Sequence, residues 1–149
     1  MSTSRDLPTD RDAIGQLLVR LLRLFRTELF APAAAAGFAD VREPHLQIFG
    51  NLYDGARLSE LAARAQLSLA ATSELVNDLQ RLGYLERRPD PHDGRAKMIV
   101  PTERGREALA AAGNRVAEIE AHWAALIGEN RFADTCRALQ DLLDALEPS

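Results

Sequence analysis

The sequence predicts a mainly α-helical fold that carries one small β-hairpin. Three observations point there. Apolar residues recur at helical spacing from Asp10 to Phe30 and again beyond Thr102. Between those segments lie two short helical patterns separated by a tight connection. Directly after the second, two short strand-like runs flank the turn-rich stretch PDPHDG, residues 89–94.

The elements follow in order. From Asp10 to Phe30, Ile14, Leu18, Leu21 and Phe25 form an apolar stripe, and Leu17, Leu22, Leu24 and Leu29 widen it beyond one face, so this helix is expected to be covered on two sides. The segment APAAAAG, residues 31–37, places Pro and Gly near its ends and is expected to turn the chain. Pro44 suits a first helical turn, and Leu46, Ile48, Phe49 and Leu52 make a short second helix ending near Asp54 and Gly55. Ser59 to Ala65 reads as a third helix, with Gln66 and Leu67 as the connection. Ser68 then caps a fourth whose buried face is Leu69, Thr72, Leu75 or Val76, Leu79 and Leu82, and Gly83 is its left-handed stop.

Two helices across a short turn, the second amphipathic, form a helix-turn-helix of the kind that reads DNA. Tyr84 to Arg88 and Ala96 to Val100 are the expected strands of a hairpin appended to it, a wing. Thr102 can cap a long helix with apolar positions Leu109, Ala112, Val116, Ile119, Trp123 and Leu126. Phe132, Cys136, Leu139, Leu143 and Leu146 continue that spacing after Gly128, which implies helix-on-helix packing.

Bulk properties narrow the function. At 149 residues one domain is expected, and 46% hydrophobic with 27% charged residues is a globular composition. Aromatics at 5% are too scarce for a stacking platform that grips single strands. The first ten residues have no apolar stretch behind a basic start and no run reaches membrane-span length, so the cytoplasm is the expected location. The single cysteine, Cys136, cannot form an internal disulfide and occupies an apolar helix position, where a buried, inert thiol is expected. Net charge is −4, yet nine of the 18 basic residues and only seven of the 22 acids lie between Arg57 and Arg106, so that window is positive.

The stretches SELA (Ser59 to Ala62), LS (Leu67, Ser68), LQRLGYLERRPDPHDGRA (Leu79 to Ala96) and TERG (Thr102 to Gly105) resemble the MarR family of winged-helix transcriptional regulators. The wing signature is matched by Arg88, Asp90, Pro91, Asp93, Arg95, Thr102 and Gly105. The resemblance implies a single MarR-type domain over 1–149. In it, helices within 8–37 and 102–147 interlock two copies, and a winged helix-turn-helix lobe over 41–101 grips a pseudo-palindromic operator. It also implies release by a small, often aromatic ligand in a crevice between the dimerisation helices and the lobe. Three positions depart from the family: Gly94 replaces a frequent Arg or Lys, Pro101 a usual Leu, and Arg57 a Thr that often caps the helix. A more flexible, less charged wing tip and modest DNA affinity are expected.

The residues expected to touch double-stranded DNA are these. Arg95 enters the minor groove from the wing tip, and Asp93 orients it through a paired hydrogen bond. Asn77 can pair with adenine and Glu74 with the cytosine amino group, while Ser73, Ser68 and Thr72 reach phosphates or bases. Arg64, Arg81, Arg87, Arg88 and Lys97 supply the remaining phosphate contacts. His45, and with it Phe49, are the expected effector contacts, since the second helix lines the crevice in the family.

The spacing of His45, His92, His122 and Cys136 fits no metal site, and no cofactor is expected. No nucleophile with its base and no phosphate-binding glycine loop suggests an enzyme. The competing reading is a winged-helix module that binds protein and not DNA, as the acidic overall charge allows.

Overall fold

The computed structural model describes residues 5–31 and 37–147. Helix α1 spans Ile14–Phe30, and Gln16 reaches back to accept the amide of Ala13 at 3.1 Å. Of the expected turn over 31–37, residues 32–36 lie outside the described residues. A single 3-10 turn, Glu43–His45, leads into α2 (Leu46–Leu52), then α3 (Leu58–Ala65) and α4 (Leu69–Arg81). The hairpin is β1 (Leu85–Asp90) and β2 (Asp93–Pro101), followed by α5 (Glu103–Ile127) and α6 (Glu129–Leu146). The chain divides into two compact units at Leu109/Ala110. Among the described residues no helix is long and apolar enough to cross a membrane.

The first unit is built around a core of Ile48, Phe49, Leu52, Ala56, Leu61, Val76, Leu79, Tyr84, Leu85 and Ile99. Its α3–α4 turn follows the local chemistry of the sequence. Gln66 adopts the left-handed conformation at the end of α3, and the Ser68 hydroxyl caps α4 by accepting the Ala71 amide at 3.0 Å. Gly83 (φ +88°) ends α4 and turns the chain into the hairpin. The joint to α5 explains the Thr-x-x-Gly pattern. Thr102 donates its hydroxyl to the Gly83 carbonyl at 2.6 Å and accepts the Gly105 amide at 3.1 Å. A Cβ at Gly105 would lie 2.0 Å from the Tyr84 carbonyl oxygen, so only glycine fits.

Two details of the fold correct the sequence reading. Leu69, expected on the buried face of α4, is 57% exposed, whereas Thr72 is wholly buried. Leu69 is the first residue of the helix, nearly a full turn before Thr72, the first buried residue of α4. Thr72 tolerates burial because its hydroxyl donates to the Ser68 carbonyl at 2.8 Å. The hairpin is also longer than expected. Both strands run into PDPHDG and leave only residues 91 and 92 to turn the chain, with Asp90 opposite Asp93. Pro89 pairs with Lys97, so residues 94–96 bulge from the ladder. A further two-sided bridge joins Ala56 to Ile99 (3.0 and 2.8 Å), tying the segment two residues before α3 to the wing's base.

The terminal helices bury little of themselves. No residue of α1 is buried within the chain, so the covering expected on two sides is not supplied by it. Ile14, Leu18, Val19, Leu21, Leu22 and Leu24 are all 45–68% exposed. In the second unit Ile119 and Ala124 are buried, but α6 buries nothing, and Leu139, Leu142, Leu143 and Leu146 stand open. Cys136, expected to be buried, is partly exposed.

Candidate nucleic-acid interface

The outward face of α4 carries Ala70, Glu74 and Asn77 exposed, with Ser73 partly so. These four are free of the core, as a base-reading face requires. Ser68 is exposed, but its hydroxyl oxygen already accepts the Ala71 amide. Thr72 cannot reach a phosphate or base, because it is enclosed and its hydroxyl bonds backward along its own helix. Arg81 is ion-paired with Asp78 one turn earlier, so at this end of α4 the positive charge is locally balanced.

Charge on the rest of the lobe sorts cleanly. Arg64 pairs with Glu60 at 3.4 Å, donates to the Asn51 carbonyl at 2.9 Å and lies over the Tyr53 ring at 5.2 Å. Arg88 pairs with Glu86, two residues away on the same strand. Arg87 donates to Gln80 and so ties the wing to α4 without losing its charge. Arg104 and Arg106 pair with Asp40 and Glu103. Among the described residues of this window, Arg95 and Lys97 have no carboxylate partner, and both are exposed on β2. The positive field of the sequence window is thus concentrated on the hairpin.

Asp93 orients Arg95 differently from expectation. Its carboxylate accepts the Arg95 backbone amide at 3.1 Å, an Asx-type turn, and leaves the guanidinium free. The neighbouring Asp90 belongs to the turn-forming stretch and to the wing signature. It is 7% exposed, and one of its oxygens accepts Arg57 Nε at 2.9 Å and Nη2 at 2.7 Å while the other accepts the His92 amide at 2.8 Å. The His92 amide and then the Arg57 guanidinium hold this carboxyl below its ordinary pKa. Sequence reasoning missed the pair because its members lie 33 residues apart. The one available signal was the arginine at a helix start where the family favours a short hydroxyl side chain.

His45 is buried, and its Nδ1 accepts the Arg42 amide at 2.9 Å. Burial lowers its pKa, with Asp78 opposing that shift. It borders a small cavity of about 260 Å³ with Asp40, Arg42, Asp78, Arg81 and Leu82. Phe49 does not line that cavity; it packs edge-on against Tyr84, ring centroids 5.9 Å apart, as a core residue. A larger cavity of about 680 Å³ lies along α1, walled by Val19, Leu22, Phe30 and Val41 with Arg23, Arg26 and Arg42 at its edge. Arg26 is paired with Glu43 at 2.7 Å; the guanidiniums of Arg23 and Arg42 have no carboxylate partner among the described residues. Buried Tyr84 donates to Asp40, and Arg104 stacks over its ring at 4.6 Å while donating to its oxygen at 3.0 Å. Desolvation first, and then the bond to Asp40, raise the pKa of this hydroxyl. Among the described residues no group of three or more His, Cys, Asp or Glu is placed to hold a metal.

A two-helix turn with an exposed polar face, followed at once by a hairpin bearing free cations, defines the winged helix-turn-helix class. Residues 40–96 match the model of the MarR family. No curated protein matches the chain by sequence. Among solved structures, CouR from Rhodococcus jostii RHA1 bound to p-coumaroyl-CoA is 24% identical, covers 93% of this chain and 94% of its own, and has a TM-score of 0.73. A MarR family transcriptional regulator from Silicibacter pomeroyi DSS is 20% identical over 91% of each chain, with a TM-score of 0.72. A mutant of S. aureus MepR bound to an oligodeoxyribonucleotide is also 20% identical, over 92% of this chain and all of that one, with a TM-score of 0.59. The chain therefore has the fold of these structures.

Proposed function

We propose that the protein is a homodimeric, sequence-specific regulator, a repressor that leaves a pseudo-palindromic operator when a small ligand binds, and that it acts in the cytoplasm. The observation that carries DNA binding is the pair of unpartnered cations, Arg95 and Lys97, on a hairpin beside the exposed face of α4. Arg95 enters the minor groove, and Asn77, Glu74 and Ser73 face base edges in the major groove. Arg87, Arg88, Arg64, Arg81 and Ser68 lie along the phosphates, the ion-paired ones exchanging carboxylate for phosphate. The apolar faces of α1 and α6, uncovered within the chain, support a second copy as their cover, which sets two reading helices on the order of 34 Å apart. The cavity along α1, of a size that holds a small organic molecule, supports an effector with an apolar body and an anionic group facing Arg23 and Arg42. His45 borders the adjoining, smaller space.

The test begins with DNA selected from a random duplex library by the wild-type protein. Arg95→Ala should weaken binding to the selected duplex and lower the slope of log affinity against log salt by about 0.9, the contribution of one phosphate-neutralising charge. Unchanged affinity in a mobility shift would remove the wing from the interface. Failure to retain any duplex on a DNA column at low salt would favour the protein-binding module instead.

A further inference from the structure

The wing of this chain is held at two heights. At its base, Ala56 and Ile99 exchange backbone hydrogen bonds of 3.0 and 2.8 Å. At its tip, Arg57, the next residue, spans the gap to Asp90 with two N–H groups on one carboxylate oxygen, at 2.9 and 2.7 Å. Asp90 is the last ladder residue of β1. Its other oxygen holds the His92 amide across the two-residue turn, and its ladder partner Asp93 holds the Arg95 amide. An unbroken series of bonds therefore runs from the start of α3 to the backbone of Arg95. It passes through residues 94–96, the bulged part of the hairpin, which carry no ladder partner of their own.

We propose that Arg57 is a positioning residue for DNA binding: through Asp90 it fixes where the wing presents Arg95, and it does not itself contact phosphate. The proposal rests on the DNA-binding reading. Both N–H groups that face Asp90 are occupied, and the carboxylate they meet is almost wholly enclosed, so Arg57 brings little net charge to the DNA. A planar fork supplies two directed bonds, which the single ammonium of lysine cannot reproduce. In this chain the strut offsets the freedom introduced by Gly94.

The competing role, a phosphate contact by the 41% exposed Arg57 side chain, makes opposite predictions for the same variants. Asp90→Asn keeps an oxygen for the His92 amide and removes only the partner of Arg57. A strut predicts that affinity for the selected duplex falls, by about tenfold, as when one charge-assisted contact is misplaced. A phosphate contact predicts that it rises, since an acid is removed and a guanidinium freed. Arg57→Lys should bind as weakly as Arg57→Ala; retention of affinity by lysine overturns the proposal. A readout without DNA separates this from the reading beneath it. The heteronuclear NOE of the Gly94 and Arg95 amides should drop in Arg57→Lys and Asp90→Asn while those of α4 stay at wild-type values. If the tip amides do not change, the strut fails even where DNA binding stands. If they do change but the wild-type protein retains no duplex, the strut stands as a wing tether and the DNA-binding reading fails.

Discussion

The winged-helix lobe and the terminal helices treat their apolar residues in opposite ways. In the lobe, Ile48, Leu52, Leu61, Val76 and Leu79 are 0% exposed, and the chain supplies every surface that covers them. Along α1 and α6 no residue is buried, although leucines recur there as densely. The same amino-acid type thus marks a finished core in one region and an uncovered apolar face in the other. Soluble monomers seldom leave rows of large apolar side chains open along a helix.

The comparison can be broken most severely at the unfinished face. Replacing Leu22 and Leu143 with Asp should convert a dimer to a monomer in sedimentation velocity at micromolar concentration, because a buried unpaired carboxylate costs several kcal/mol per site. If the wild type already sediments as a monomer, the contrast between the two regions loses its explanation. Next in size is the finished core: Leu79→Ala should lower unfolding free energy by about 2–5 kcal/mol in denaturant titrations. A loss well under 1 kcal/mol would mean that the lobe is packed more loosely than its burial implies.

The smallest effect is electrostatic and belongs to the lobe alone. Burial lowers the pKa of His45 in the folded chain, against the pull of Asp78 and Asp40 and with the help of Arg42. The unfolded chain therefore takes up a proton first. This contribution is present in full above the unfolded value near 6.5 and is lost as pH falls from there toward the lower folded value. His45→Asn, which keeps an acceptor for the Arg42 amide, should flatten the dependence of melting temperature on pH below about 6.5. An unaltered pH profile would show that the ring is no less ready to ionise in the folded chain than outside it.

Much of the fold was legible because its punctuation is local. Ser68, Gly83 and Thr102 cap or stop helices through bonds to residues one to four positions away or across a single short hairpin, and such signals survive in a linear reading. The hairpin's existence was legible for the same reason, from its turn formers. Its true length was not, because Asp90 pairs with Asp93 across a bulge and its carboxylate is met by Arg57, far back in the chain. The buried face of α4 was readable to within one residue; the error lay at Leu69, where helical periodicity says nothing about how near the core the first turn begins. Thr72 was given two roles, core and DNA contact, and the buried one holds because its hydroxyl is satisfied within its own helix. Phe49 shows the same limit. Its place on a short apolar helix fitted either a crevice wall or a core, and only the edge-on packing with Tyr84 decides between them.

Gly105 leaves its own mark on the range of sequences open to this architecture. With the Tyr84 carbonyl oxygen 2.0 Å from where a Cβ would stand, the corner between hairpin and long helix admits a hydrogen and nothing wider. Divergence can rewrite the α4 face, the cavity along α1 or the exposed leucines of α6 piecemeal, but a change at this corner would need the main chain on both sides to move apart at once.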